Sequence, residues 1–147
     1  MKWFGKAALV TVLSVSFFLP SDTLAANSQQ SSNTVAPATL LLDSTFAELS
    51  NRSFADLQGI YITTPTKITL NVTQRGNGAA TGTPVVSYKI MKPHYDGTAT
   101  SYGSERFEGT GAFSFTSTQV LPPGEYYIRV NNSGVGKVSG SVKVTTP

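Results

Sequence analysis

Apolar and polar residues alternate along much of the chain, and the alternation is clearest after residue 60. In residues 67–73, Ile68, Leu70 and Val72 are separated by single polar residues. Successive side chains of a β-strand point to opposite faces of its sheet, so a period of two residues indicates a half-buried strand. We therefore expect Ile68, Leu70 and Val72 to face a hydrophobic core.

The same period recurs in other segments and predicts the fold class. Further inward-facing residues are expected at Val86, Tyr88, Ile90, Tyr126, Ile128 and Val130. The predicted strands cover residues 39–42 and 46–49, 54–62, 67–73, 85–92, 106–108, 113–115, 126–130 and 138–144. The first two segments are either one strand region or two short strands bent near Asp43 and Ser44. Seven or eight short strands without helical period predict an all-β fold, a single antiparallel β-sandwich that is jelly-roll-like or fibronectin-like.

Glycine, proline and short polar residues mark the connections between these strands. Residues 75–84 contain three glycines and nothing to bury, and residues 93–104 contain an Asp96-Gly97 step, so both segments are predicted to be long loops. The glycine-rich turn at residues 109–111 predicts a hairpin between its two flanking strands. The sequence Leu121-Pro122-Pro123-Gly124 predicts a tight turn, because proline presets φ and glycine tolerates a positive φ.

The first residues predict export from the cell. Lys2 and Lys6 precede an apolar run over residues 7–19, and a proline break is followed by the small-residue stretch that ends at Ala25. This order is typical of a secretory signal peptide, which we assign to residues 1–25. The apolar run is shorter than the roughly 20 residues that a membrane-spanning helix needs, so no stable membrane anchor is expected. Residues 26–37 are polar and predict a flexible leader, which leaves residues 38–147 for the sandwich domain.

Composition narrows the classes of function. The chain of 147 residues contains no cysteine, which removes disulfides and thiol chemistry and is more typical of an exported bacterial protein than of an animal one. Charged residues make up only 13% of the chain and the net charge is +3, which gives no support to nucleic-acid binding. The remaining length suits one domain.

The C-terminal part resembles a known family. The turn Leu121-Pro122-Pro123-Gly124, the strand Glu125-Tyr126-Tyr127-Ile128-Arg129-Val130 and the strand at residues 138–144 are similar to the closing hairpin of bacterial pre-peptidase C-terminal domains. The strands at residues 68–72 and 85–90 fall in fitting order. The resemblance implies a jelly-roll-like sandwich from extracellular bacterial proteins, usually attached to proteases, with related modules that bind collagen or calcium. The acidic residues that form such calcium sites are not matched here.

The same turn is also similar to that of fibronectin type III domains, in which it leads into a strand with a buried tyrosine. Tyr127 has the spacing from Leu121 that this resemblance implies, whereas the alternation places Tyr126 on the inner face with Ile128. We therefore expect Tyr126 to be the inward tyrosine. A buried tyrosine hydroxyl needs a hydrogen-bond partner, so a backbone acceptor is expected for it.

Catalytic chemistry has few candidate residues. His94 is the only histidine and therefore the only imidazole base, and an exposed loop histidine is the favoured interpretation. Glu105 and Glu108 are separated by an odd number of positions, so they are expected on opposite faces of a strand rather than in one site. We assign no catalytic residue and expect a protein that is not an enzyme.

Ligand binding is better supported. Calcium is a candidate ion at Asp96 together with carbonyl groups of the following loop, although a solvated turn aspartate is the favoured interpretation and no cofactor is assigned. Sugar binding needs exposed aromatic rings, for which Tyr61, Tyr95, Tyr102 and Tyr127 are available in the mature chain. The ligand-contact candidates of the loop at residues 93–104 are His94, Tyr95, Asp96 and Tyr102.

These observations predict a secreted, extracellular bacterial β-sandwich that acts by binding. Its partner would be an extracellular polysaccharide, a cell-wall component or a protein ligand, held mainly by the loops at residues 75–84 and 93–104. A self-associating structural or matrix protein is the first alternative, since exposed sheet edges can pair between copies. A small secreted hydrolase or toxin is the second alternative.

Overall fold

A computed structural model describes residues 37–78 and 82–147 of the chain. The predicted signal peptide and all of the predicted leader except residue 37 lie outside these described residues. The described part of the chain forms strands, turns and loops without an α-helix, so it contains no helix long and apolar enough to cross a membrane. The prediction of an all-β fold is confirmed.

Eight strands form in the described residues. They are β1 (Leu40–Leu49), β2 (Phe54–Ile62), β3 (Thr69–Asn77), β4 (Val85–Pro93), β5 (Ala99–Glu108), β6 (Gly111–Thr116), β7 (Gly124–Asn132) and β8 (Lys137–Thr145).

Two antiparallel sheets of four strands each make a β-sandwich. Sheet A has the order β1-β8-β3-β6, and sheet B has the order β2-β7-β4-β5. The chain passes from one sheet to the other at every connection except that between β4 and β5, which are neighbours in sheet B. This strand order is that of an eight-stranded jelly roll with two facing sheets, and it decides between the two predicted sandwich types.

The core lies between the sheets and consists of the residues that alternate inward. Ile68, Leu70 and Val72 are buried as predicted, and so are the inward sets of β4 and β7. The fully buried side chains include Ile60, Ile68, Leu70, Val86, Tyr88, Ile90, Leu121, Tyr126, Ile128, Val130, Val138, Val142 and Val144. Burial of these apolar side chains provides the main stabilisation, because the chain has no disulfide to constrain its unfolded state.

The two buried tyrosines, Tyr88 and Tyr126, each form a hydrogen bond through the side-chain hydroxyl. The Tyr88 hydroxyl donates to Oε1 of Gln74 over 3.1 Å, and the Gln74 amide donates to the carbonyl oxygens of Phe107 and Gly109 at 3.2 and 2.7 Å. The Tyr126 hydroxyl donates to the carbonyl oxygen of Pro122 over 2.6 Å. The predicted inward position of Tyr126 and its backbone partner are confirmed.

Of the two alternatives for residues 39–49, the structure shows one strand, because β1 is continuous through Asp43 and Ser44. Its pairing with β8 has register shifts between Leu40 and Leu42 and between Phe46 and Leu49. Two local predictions are wrong. Residues 75–77 belong to β3 rather than to the following loop. The loop predicted at residues 93–104 is short, because β4 ends at Pro93 and β5 begins at Ala99.

Both predicted C-terminal hairpins are also wrong. The strands β5 and β6 flank the turn at residue 109, but β5 pairs with β4 in sheet B and β6 pairs with β3 in sheet A. The strands β7 and β8 are separated in the same way. A tight turn allows a hairpin but does not require one, because the chain can use the same turn to cross between two packed sheets.

Candidate functional site

The connection between β4 and β5 holds three of the four predicted ligand-contact residues. The His94 amide donates to the Thr98 carbonyl over 2.9 Å, and the Gly97 amide donates back to the His94 carbonyl over 3.1 Å. Oδ1 of Asp96 accepts hydrogen bonds from the Thr98 amide at 2.9 Å and from the Thr98 hydroxyl at 2.6 Å. The turn is therefore a compact, internally bonded hairpin end.

Asp96 is used by this turn. Its hydrogen bonds from Thr98 hold the pKa of the carboxyl group below its ordinary value, since they stabilise the charged form. Within residues 37–78 and 82–147 no three histidine, cysteine or acidic residues come together in a way that could hold a metal ion. Asp96 is placed as the favoured turn-aspartate interpretation expects.

His94 and Tyr95 lie at a small cleft beside this turn. Nε2 of His94 is 2.8 Å from the Thr100 hydroxyl, and the Tyr95 ring is fully exposed. The cleft has a volume of about 340 Å³ and is lined by Lys92, Pro93, His94, Tyr95 and Glu125. We call it the hairpin cleft.

Tyr102 does not join this group. It lies on β5 rather than in the loop, and its ring packs edge-to-face on buried Tyr126 with centroids 5.4 Å apart. Burial and the neighbouring Tyr102 raise the pKa of Tyr126 to about 12. Tyr102 therefore covers the core and is only partly exposed.

The outer face of sheet B carries three aromatic side chains along β2 and β7. Phe54 and Tyr61 on β2 are 57% and 64% exposed, and Tyr127 on β7 points outward between the buried Tyr126 and Ile128. We call Phe54, Tyr127 and Tyr61 the aromatic strip. The strip includes two of the tyrosines that the sequence indicates for sugar contact.

Tyr61 reaches this face because of an irregularity in β2. Phe54, Asp56 and Gln58 point outward, and a register shift between Gln58 and Ile60 inserts Gly59 with a φ of 106°. The extra residue reverses the alternation, so that Ile60 and Ile62 point inward and Tyr61 points outward. Without this bulge, Tyr61 would face the core.

Arg129 fixes the Phe54 end of the strip. Its guanidinium carbon lies 4.5 Å from the Phe54 ring centroid and 5.5 Å from the Tyr127 ring centroid. Nε and Nη2 of Arg129 donate to the two carboxylate oxygens of Asp56, each over 2.8 Å. The bond to Asp56 is the main cause that raises the pKa of Arg129 above its ordinary value.

A cleft of about 580 Å³, larger than the hairpin cleft, lies across sheet A. Thr45, Thr73, Arg75, Thr110 and Ser139 supply its polar lining. Several of these polar groups already have partners, since the Thr73 hydroxyl bonds the Ser141 hydroxyl at 2.7 Å and the Ser139 hydroxyl oxygen accepts from the Glu48 amide at 2.9 Å. The aromatic residue that lines it, Phe46, is only 6% exposed, so this cleft has no surface on which a ring could stack.

Phe54, Asp56 and Arg129 are the site residues that sequence reasoning missed. Arg129 alternates with the buried residues of β7, so its outward position was visible in the sequence. Phe54 gave no such signal, because a strict period of two places it on the same face as Ile60 and Ile62. Their meeting depends on the pairing of β2 with β7, strands separated by more than sixty residues. The alternation pattern contains no information about which strands pair.

Comparisons with known proteins agree with the fold. No protein-family model matches the sequence, and no curated protein matches it significantly. The structure is similar to one reported as "CBM4 structure and function", with a TM-score of 0.53 and 14% identity over 78% of this chain and 81% of that chain. At this identity the similarity shows a shared β-sandwich fold.

Weaker similarities were found to two carbohydrate-binding modules. One is CBM6cm-2 from Cellvibrio mixtus lichenase 5A in complex with cellotriose, with a TM-score of 0.42 and 9% identity over 72% of this chain and 88% of that chain. The other is CBM36 in complex with calcium and xylotriose, with a TM-score of 0.39 and 14% identity over 74% of this chain and 96% of that chain.

Proposed function

We propose that this protein is a non-catalytic carbohydrate-binding module that holds a polysaccharide against the aromatic strip of sheet B. A sugar ring has an apolar face of C–H groups and a rim of hydroxyls, so it binds well to an exposed aromatic ring with polar groups beside it. The strip offers both, because Asp56, Gln58 and Glu125 lie on the same face as its rings. The similarity of the fold to a CBM4 structure agrees with this class of ligand.

The rigid support of Phe54 is the observation that carries the proposal. An exposed phenylalanine normally samples several rotamers and loses that freedom when a ligand orders it, at a cost of about 0.5 to 1.5 kcal/mol per side chain. Here Arg129 packs on the ring and is itself held at two points by Asp56. Phe54 is thus exposed and ordered before any ligand arrives, which is the arrangement that a binding site requires.

Binding rather than catalysis fits the remaining chemistry. His94 bonds a threonine hydroxyl, and Glu108 pairs with Arg106 at 3.1 Å. Glu105 and Glu108 lie opposite Tyr88 and Val85 on β4, three positions apart along one strand, which places them on different faces. With the signal peptide predicted for residues 1–25, we propose that the module acts outside the cell.

Affinity electrophoresis of the purified protein in gels that contain soluble xylan or hydroxyethylcellulose tests the proposal. We expect retardation by at least one of these polymers and a loss of retardation in Phe54→Ala. Val135→Ala is the control, because Val135 is similarly exposed but lies in the loop between β7 and β8. Normal mobility of the wild-type protein in both gels would overturn the proposal, and equal retardation of Phe54→Ala would exclude the strip.

Repeating the gels with EDTA and with added calcium tests whether binding of the polysaccharide requires a calcium ion. Stacking on the strip needs no cation, so we expect the retardation to be unchanged by EDTA. A loss of retardation in EDTA that calcium restores would instead place a calcium ion in the site.

A further inference from the structure

We infer that the aromatic strip and the hairpin cleft form one continuous track, and that the ligand is therefore a linear glycan several units long. This inference rests on the proposed function and adds the shape and length of the ligand. It depends on Glu125, which belongs to both surfaces. Glu125 lies directly opposite Tyr61 in the pairing of β2 with β7, and it also lines the hairpin cleft with His94 and Tyr95.

The direction of the track follows the strands. Phe54 lies opposite Asn131 at one end of β7, and Tyr61 lies opposite Glu125 at the other. These positions on β7 are six residues apart, which corresponds to roughly 20 Å at about 3.4 Å per residue. The hairpin cleft adjoins Glu125 on the β4 side of β7, so a ligand that contacts both Phe54 and Tyr95 must be longer than a disaccharide.

The neighbouring strand β4 borders the track and supplies part of the cleft lining. Met91 lies opposite Tyr127 in the pairing of β4 with β7, and Lys92 and Pro93 follow it into the lining of the cleft. The Lys92 ammonium donates to the Pro123 carbonyl over 3.1 Å and lies 5.4 Å from the Tyr126 ring centroid. Because Lys92 is held in this way, the Glu125 carboxylate and the Tyr95 ring are left to contact sugar hydroxyls and a sugar face.

This arrangement predicts two kinds of contact with different length requirements. A short oligosaccharide can occupy the rigid Phe54 end alone, whereas only a long one also reaches Tyr95. Linked contacts of this kind raise the affinity of the longer ligand, because the second contact becomes intramolecular once the first has formed.

Isothermal titration calorimetry with the disaccharide, tetrasaccharide and hexasaccharide of the xylo and cello series tests the inference. In the series that binds, we expect the hexasaccharide to bind roughly tenfold more tightly than the disaccharide. Tyr95→Ala should remove this gain and leave the shorter ligands unaffected, and Tyr95→Phe should retain it because the ring is kept. Phe54→Ala should weaken all lengths.

The outcomes separate the inference from the proposed function. Binding that is lost in Phe54→Ala but shows no dependence on length, or an equal effect of Tyr95→Ala on every length, would overturn the track and leave the strip as the site. No binding to any oligosaccharide or polymer would overturn both.

Discussion

Asp56 and Arg129 face each other directly across β2 and β7 and form a two-point ion pair. Both hydrogen bonds are 2.8 Å long, and the side chains are only 25% and 33% exposed. A planar guanidinium matched to a carboxylate in this way has a defined orientation, unlike a single contact between flexible surface charges. Here the orientation is the useful property, because the guanidinium lies on the Phe54 ring.

Arg129→Lys should weaken polysaccharide binding by about fivefold, equivalent to roughly 1 kcal/mol, while the protein remains folded. Lysine retains the charge but cannot bond both carboxylate oxygens or stack its head group flat on Phe54. Retardation in polysaccharide gels, with circular dichroism to verify the fold, measures the effect. Arg106→Lys is the matched control, since Arg106 contacts Glu108 through one exposed hydrogen bond. Equal binding by both variants would show that the contact of Arg129 with the Phe54 ring does not contribute to polysaccharide binding.

Gly59→Ala should destabilise the fold and also weaken binding. Gly59 has a φ of 106°, and a Cβ there would meet no atom within 4 Å, so the cost comes from the backbone conformation alone. A non-glycine residue in such a region costs on the order of 1 to 3 kcal/mol. If β2 relieves the strain by losing its bulge, Tyr61 leaves the outer face. Urea unfolding together with the gel assay measures both consequences.

Gly111→Ala provides the control for this variant. A Cβ at Gly111 would make ordinary contacts at 3.6 and 3.7 Å with the Phe113 ring, and its φ is not in the positive range that disfavours alanine. Gly111→Ala should therefore change the unfolding free energy little. A Gly59→Ala protein as stable as Gly111→Ala would contradict the role given to the bulge.

Most core-facing residues were predictable from the sequence, because the alternation of apolar and polar residues is a local property of each strand. Ile68, Leu70, Val86, Tyr88, Tyr126 and Ile128 are buried as their spacing predicts. The alternation failed only where an extra residue changes the phase. In residues 54–62 a strict period of two places Phe54, Ile60 and Ile62 on the same face, and only the bulge at Gly59 separates the exposed ring from the buried ones.

The candidate site was only partly predictable because it depends on contacts between distant strands. Tyr61, Tyr95 and Tyr127 were identified as aromatic residues available for a ligand, and the structure places them on the outer face of sheet B and at its adjoining hairpin. Tyr102 was assigned to the same loop, but β5 begins earlier than its glycine and serine residues suggest, because pairing with β4 overrides their weak strand preference. The pair Asp56 and Arg129 required knowledge of the β2 to β7 register.

Asn132→Leu should cost about 3 to 5 kcal/mol of unfolding free energy. The buried Asn132 amide donates to the carbonyls of Leu49 and Gly136, each over 2.9 Å, and its oxygen accepts from the Gly134 amide over 3.0 Å. Leucine has nearly the same size but satisfies none of these three groups, and a buried group without a partner costs about 1 to 3 kcal/mol. Urea unfolding measures the loss. Asn131→Leu, on the outer face, should stay near the wild-type value, and a similar loss in both variants would refute this account.

The unfolding free energy should fall as the pH rises above 10, partly because of Tyr126. Burial raises the pKa of Tyr126 from 10.0 to about 12, and burial also raises the pKa of Tyr88. Between pH 10 and 12 the unfolded chain releases the Tyr126 proton while the folded chain retains it, so ionisation favours unfolding. The stabilisation is complete below pH 10 and is lost as the pH rises toward 12. A shift of two pKa units corresponds to on the order of 2 to 3 kcal/mol.

Tyr126→Phe isolates this contribution, because other groups that titrate at high pH are common to all variants. Phenylalanine loses the hydrogen bond to the Pro122 carbonyl, so the variant should be less stable than the wild-type protein at pH 9, where both are un-ionised at this position. It cannot ionise, so the difference between the two proteins should shrink as the pH approaches 12. Tyr95→Phe, at a fully exposed position, should follow the wild-type curve throughout. Urea unfolding at pH 9, 10, 11 and 12 measures the three curves, and a constant difference between Tyr126→Phe and the wild-type protein would show that the Tyr126 proton is not held by the fold.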